Sequence, residues 1–147
     1  MKTTWVLVAD GARARLFETA PVERALTELD CYANPEGRAG TRETTTERPP
    51  TVNESVGPAR HSIEPHTTQR EKVADRFAKS LRDVLERGRN EHRYEQLVLI
   101  APPRFLGRLH ANFSKELRNT LAGEIRRDFT ELPADQICAR LPPRLFH

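Results

Sequence analysis

Hydrophobic and polar positions along the chain follow three rhythms. Trp5-Val6-Leu7-Val8-Ala9 is a continuous apolar run, the pattern of a strand covered on both faces. Asp10-Gly11 follows, a hairpin-turn pair because both residue types tolerate positive φ. Ala12, Ala14 and Leu16 then alternate with Arg13, Arg15 and Phe17, which predicts a second strand antiparallel to the first. Residues 25–32, ALTELDCY, alternate again and predict a third. From Asn34 the rhythm stops. Residues 34–66 hold Pro35, Gly37, Gly40, Pro49, Pro50, Gly57, Pro58 and Pro65, and Val52, Val56 and Ile63 keep no period, so a long irregular loop is expected.

Helical spacing begins at Thr68. Thr68-x-x-Glu71 reads as a capping box, and Val73, Phe77, Leu81, Val84 and Leu85 form one apolar stripe that ends at Gly88. Gln96 to Ala101 is another short buried strand. Leu106, Leu109, Phe113, Leu117 and Leu121 predict a second helix, with Gly123 as its stop. Ile125 to Thr130 reads as a last strand. Pro133 opens a final helix with Ile137 and Leu141 inward, and Pro142-Pro143 ends it. The order β-β-β-α-β-α-β-α predicts an α/β fold, a single mixed sheet with helices packed on its faces. The 147 residues fit one domain, 1–147.

Charge sharpens this picture. The net charge is +3, and the excess is local. Residues 67–93 carry eight Lys or Arg against five acids, and residues 102–128 carry six against three. Localised positive charge fits a polyanionic partner; it equally fits Arg used to solvate helix faces. Trp5–Ala9 is too short for a signal-peptide core, and no stretch approaches the length of a membrane span. A cytoplasmic protein with no membrane partner is expected. Cys31 and Cys138 are expected to be buried reduced thiols, with a single bridge left open.

Candidate chemistry is sparse. In open α/β sheets, ligands collect beyond the carboxyl ends of the parallel strands, where helix N-termini offer free N–H groups. LVLIAPPRFLG, residues 97–107, is such a junction. Arg104 and Arg108 lie one helical step apart and can clamp a phosphate, although Pro102 and Pro103 have no N–H to donate. The same residues also describe a proline-stopped strand with solvated arginines. Asp10 and Asp128, if their strands are neighbours, can hold a metal ion as nucleases require, but Asp10 is also the natural turn residue of Asp-Gly. No cluster has zinc-ligand spacing, His61 and His66 flank Glu64 in the irregular region, and no Ser or Cys has a base partner at motif spacing. No metal and no cofactor are implied.

The blocks DGARARLFE, RHSIEPHTTQREKVADRFAKSL and LVLIAPPRFLG followed by SKELRNTLAGEI resemble the bacterial host attachment protein family over nearly the whole chain. That family takes its name from an attachment phenotype. The layout is also similar, more distantly, to the middle domain of archaeal and eukaryotic class-one peptide release factors. There the matching features are Asp10, Arg76-Phe77, LVLIAPPRF and Asp128-Phe129-Thr130. The release-factor domain carries a Gly-Gly-Gln triplet that assists hydrolysis of peptidyl-tRNA; no such triplet occurs here. The resemblance therefore implies the fold without the hydrolysis. It implies a non-catalytic domain associated with ribosomes or structured RNA, with Arg76, Lys79, Arg82, Arg104 and Arg108 as phosphate contacts. A protein-interaction factor acting on attachment, and a nuclease or esterase using Asp10 and Asp128, remain as alternatives. The oligomeric state is left open.

Overall fold

The computed structural model describes residues 3–20, 22–36 and 59–146; in the long helix, side chains are described from Gln69 onward. Five strands form one mixed sheet: β1 (Thr4–Ala9), β2 (Arg13–Ala20), β3 (Ala25–Ala33), β4 (Gln96–Ile100) and β5 (Leu121–Ile125). Their order across the sheet is β3-β2-β1-β4-β5. The pairs β3–β2 and β2–β1 are antiparallel, and β1–β4 and β4–β5 are parallel. The helices are α1 (Ala59–Asn90), α2 (Pro103–Asn112), α3 (Lys115–Arg118) and α4 (Ala134–Ala139), followed by a 3-10 turn at Pro143–Phe146. The expected class, an α/β mixed sheet with helices on its faces, is the observed one.

β1 and β4 read as unbroken apolar runs because both faces of the sheet are covered. Trp5, Leu7, Leu97 and Leu99 pack with Phe77, Leu81, Leu85, Phe105 and Leu109 under α1 and α2. Val6, Val8, Val98 and Ile100 point the other way, onto Ile137, Leu141 and Leu145. Each fully buried aliphatic side chain contributes roughly 1.5–3 kcal/mol, so this two-sided core dominates the stability.

Several boundaries differ from the sequence reading, each for a local reason. The loop expected at 34–66 is helical from Ala59 onward; residues 37–58 of that expectation lie outside the described residues. Pro65 removes one helical hydrogen bond and interrupts the pattern without ending the helix. Thr68 therefore lies inside α1 and is not its cap. Gly88 is not the stop either. The helix closes in a Schellman motif: Arg93 N–H donates to Gly88 O (2.9 Å), His92 N–H donates to Arg89 O (3.0 Å), and His92 takes φ 57°.

The helix expected from Leu106 to Leu121 is two helices. Phe113 is extended (φ −82°, ψ 141°), and Ser114 caps α3 by accepting from Leu117 N. Leu106, Leu109, Phe113 and Leu117 are all buried across the break, so periodicity alone cannot reveal it. Gly123 lies within β5, beside a register shift between Leu97 and Val98. The stretch after Ile125 is turn and irregular backbone, so Asp128 is not in a strand.

Cys31 and Cys138 are both free. Cys31 is exposed rather than buried, because β3 is the sheet's edge strand. Cys138 is half-buried, and burial raises its thiol pKa above the ordinary value. Among the described residues, no helix is long and apolar enough to cross a membrane.

Candidate functional site

β1 and β4 are adjacent parallel strands whose chains leave in opposite directions, β1 toward β2 and β4 toward β5. The crevice beyond their carboxyl ends is thus the topological switch point of the sheet, the usual ligand position in such folds. Asp10 stands there. Its Oδ1 accepts from Ala12 N (2.8 Å) and Arg13 N (2.9 Å), and its own N–H donates to Arg13 O (2.9 Å). The carboxylate itself therefore builds the hairpin turn; no glycine among the described residues has positive φ, contrary to the expectation for Asp10-Gly11.

β1 and β5 are not neighbours, since β4 lies between them. The stretch after β5 nevertheless carries Asp128 back to Asp10. Thr130 N–H (3.0 Å) and Oγ1–H (2.5 Å) both donate to Asp128 Oδ1, and Thr130 Oγ1 lies 3.4 Å from Asp10 Oδ2. Arg13 Nη2 reaches both Thr130 Oγ1 (3.4 Å) and Glu131 (2.9 Å). Arg15 fastens the same stretch to β2, with Nη1 donating to Leu132 O (2.6 Å) and Thr130 O (3.1 Å) while Nε and Nη2 hold Glu28 (3.1 Å each). Bonds from a charged donor are worth about 1.5–3 kcal/mol apiece, which makes Arg15 the principal anchor of the turn.

The chemistry of this cluster is that of a fastening. Thr130 is 3% exposed, so its hydroxyl presents no open face to a reacting group. Asp10 and Asp128 are brought together through that hydroxyl, and among the described residues no group of three or more His, Cys, Asp or Glu could hold a metal ion. Sequence reasoning finds both acids, meets Thr130 only as part of the Asp128-Phe129-Thr130 resemblance, and misses Arg13 and Arg15. The available signal is the pair of cations at alternate positions of β2, on the same covered face as the buried Phe17, whose ring Arg15 overlies at 5.0 Å.

The basic candidates lie elsewhere, on α1 and α2, which pack side by side. Arg76 pairs with Glu36 (3.0 Å), Lys79 with Asp75 (3.3 Å), Arg82 with Asp83 (2.9 Å) and Arg108 with Glu71 (3.6 Å). Arg104 is exposed in the first turn of α2 and pairs with no acid among the described residues. Asn112 joins the seam by donating to Asp75 Oδ1 (2.8 Å), a bond that, with Lys79, holds Asp75 below the ordinary carboxylate pKa. Ser114 does the same for Glu86: its Oγ donates at 2.5 Å, and Arg89 adds to the lowering. The structure thus joins Lys79 and Arg108 through one polar seam and leaves Arg104 apart at the end of β4. His110, also on α2, contacts Glu124 of β5.

The chain matches, over residues 5–141, a family described as "Protein required for attachment to host cells". It belongs to that family. The matched span runs from Trp5 in β1 to Leu141 after α4, so it takes in the five strands except Thr4 and both apolar layers except Leu145. No curated protein matches the chain.

Proposed function

We propose that this member of the attachment family is a non-catalytic binding domain that associates with structured RNA or the ribosome through the cationic faces of α1 and α2. The observation that carries this reading is the state of those cations. Arg76, Lys79 and Arg104 are exposed, and the ion pairs that engage Arg76 and Lys79 are of the solvent-facing kind. Such pairs are worth about 0–1 kcal/mol. Replacing counterions at one duplex phosphate gains about 1.2 kcal/mol per tenfold drop in salt. A phosphate can therefore compete for Arg76 and Lys79 at low salt. The distant release-factor resemblance supports the same class of partner, and the missing Gly-Gly-Gln triplet separates binding from hydrolysis.

Co-sedimentation with ribosomes, and titration of a structured RNA at several salt concentrations, tests the proposal. The expected result is binding at low salt that weakens steeply as salt rises. Arg104→Ala lowers the slope of log K against log salt by about 0.7–0.9 if that residue meets a phosphate. A protein that stays in the supernatant and shows no RNA affinity at low salt refutes it.

The family match itself favours a second reading, a protein-interaction factor acting on attachment. A specific protein partner that remains bound after nuclease treatment selects this reading over the first.

A further inference from the structure

β3 is the edge of the sheet, and among the described residues it pairs on one side only, with β2. It is nine residues long, and Thr27 to Cys31 are all exposed. Long exposed edges are ordinarily shortened, bulged or covered. This one carries a single bulge, at Leu29, and has a cleft on each face. On the α4 side, Ala25, Leu26, Ala134, Cys138 and Leu141 line a cleft of about 560 Å3. On the α1 side, Trp5, Leu16, Leu29, Tyr32 and Val84 line a second of about 340 Å3. Leu29, at the bulge in the β2–β3 register, is 37% exposed beside the second cleft.

Charge selects the occupant. Ala25–Ala33 contains Glu28 and Asp30 and no cation. Glu28, opposite Phe17, lies on the α4 face and is held by Arg15. Asp30, opposite Leu16, lies on the α1 face; it accepts from Cys31 N (2.9 Å) and has no cationic partner among the described residues. Arg24 and Asp135 rim the first cleft, and Arg87 and Arg93 rim the second against Asp30 and Glu91; the rims balance, and the charge the strand itself leaves unpaired among the described residues is Asp30. Antiparallel pairing with a second copy would set acid against acid, which disfavours it.

We propose that the outer edge of β3 docks an extended basic peptide segment of a partner protein. The segment adds as a further strand, places neighbouring apolar side chains in the two clefts, and sets a Lys or Arg against Asp30. Main-chain pairing supplies affinity and the alternating clefts supply specificity, the mode of strand addition. This goes beyond the RNA reading and uses a different surface, so the failure of either leaves the other standing.

The test uses the full chain and a capped synthetic peptide as long as β3, with Val at neighbouring positions so that one faces each cleft and Lys at the position facing Asp30 and at both ends. Trp5, the sole tryptophan, lines the second cleft and reports binding by fluorescence. Hydrogen exchange reports on the β3 amides. The expected result is a saturable fluorescence change with slowed exchange along β3, and no binding of a peptide interrupted by Pro. Asp30→Lys weakens the Lys peptide about tenfold, attraction having become repulsion, and a Glu-for-Lys peptide recovers the loss. Unprotected β3 amides, equal binding by Asp30→Lys, or β3 protection that arises from self-association without peptide would each overturn the proposal.

Discussion

Replacing Gly88 with alanine tests the account of how α1 meets the sheet. A Cβ at this position would lie 2.5 Å from Trp5 Cη2, 2.6 Å from Cζ3 and 3.1 Å from Tyr94 Cε1. Carbon atoms rest at about 3.5–4.0 Å, so the indole would have to move by about 1 Å. It has little room to do so. Trp5 is 4% exposed, stacks on Tyr94 at 4.6 Å between ring centroids, and belongs to a strand paired on both sides. Overpacking of this kind costs about 1–3 kcal/mol, and a rigid site belongs at the upper end. Alanine returns about 1 kcal/mol through helix propensity. The net expectation for Gly88→Ala is a loss of about 2 kcal/mol, or about 4–8 °C in Tm for a chain of this size. Urea denaturation followed by Trp5 fluorescence measures it. A double-mutant cycle with Trp5→Phe, followed by circular dichroism, isolates the cause, because the smaller ring should relieve most of the alanine's cost. Gly88→Ala as stable as the parent, or strictly additive effects in the cycle, would show that the clash is not what fixes glycine here.

Two further outcomes follow from the helix termini and the α1–α2 seam. His92 holds a left-handed conformation (φ 57°) at the Schellman position. His92→Gly should stabilise by about 0.5–1 kcal/mol, the relief of αL strain less the added freedom of the unfolded chain; an unchanged or lower urea midpoint refutes this. Asp75 and Glu86 have folded pKa values below the ordinary carboxylate range, through Asn112 and Ser114 respectively. Their contribution is present above the unfolded value, about pH 4, and is lost as pH falls through the lowered folded values. Asn112→Ala should therefore flatten the decline of the urea midpoint between about pH 5 and pH 2; parallel curves for parent and variant would contradict the role given to Asn112.

Legibility in the sequence followed the range of the interactions. Trp5–Ala9 and Gln96–Ala101 were readable because burial on both faces makes an unbroken apolar run. The break at Ser114 was hidden because Leu109, Phe113 and Leu117 stay in phase across it. β5 was misplaced because Leu121–Ile125 is short and only partly buried and contains a glycine that read as a helix stop. The start of α1 carries no apolar period to announce it. At the site, Asp10 and Asp128 were visible as separate acids. Their meeting through Thr130, 120 residues from Asp10, was not, because no local pattern encodes it. Arg15 was equally silent, since its carbonyl partners lie 115 and 117 residues along the chain.

The strand order has a kinetic consequence. β1 occupies the middle of the sheet, yet its parallel neighbour β4 is reached only after a separation of 92 residues, as the Thr4–Gln96 contact shows. The β1–β2–β3 meander can zip early from local turns, but by itself it shows Val6 and Phe17 on one face and Trp5 and Leu16 on the other to water. Closing that long a loop is entropically uphill until β4 inserts and both greasy faces are roofed together. Folding should therefore be slow and high in contact order, passing through a sticky half-sheet that is vulnerable to aggregation until residues 96–100 arrive.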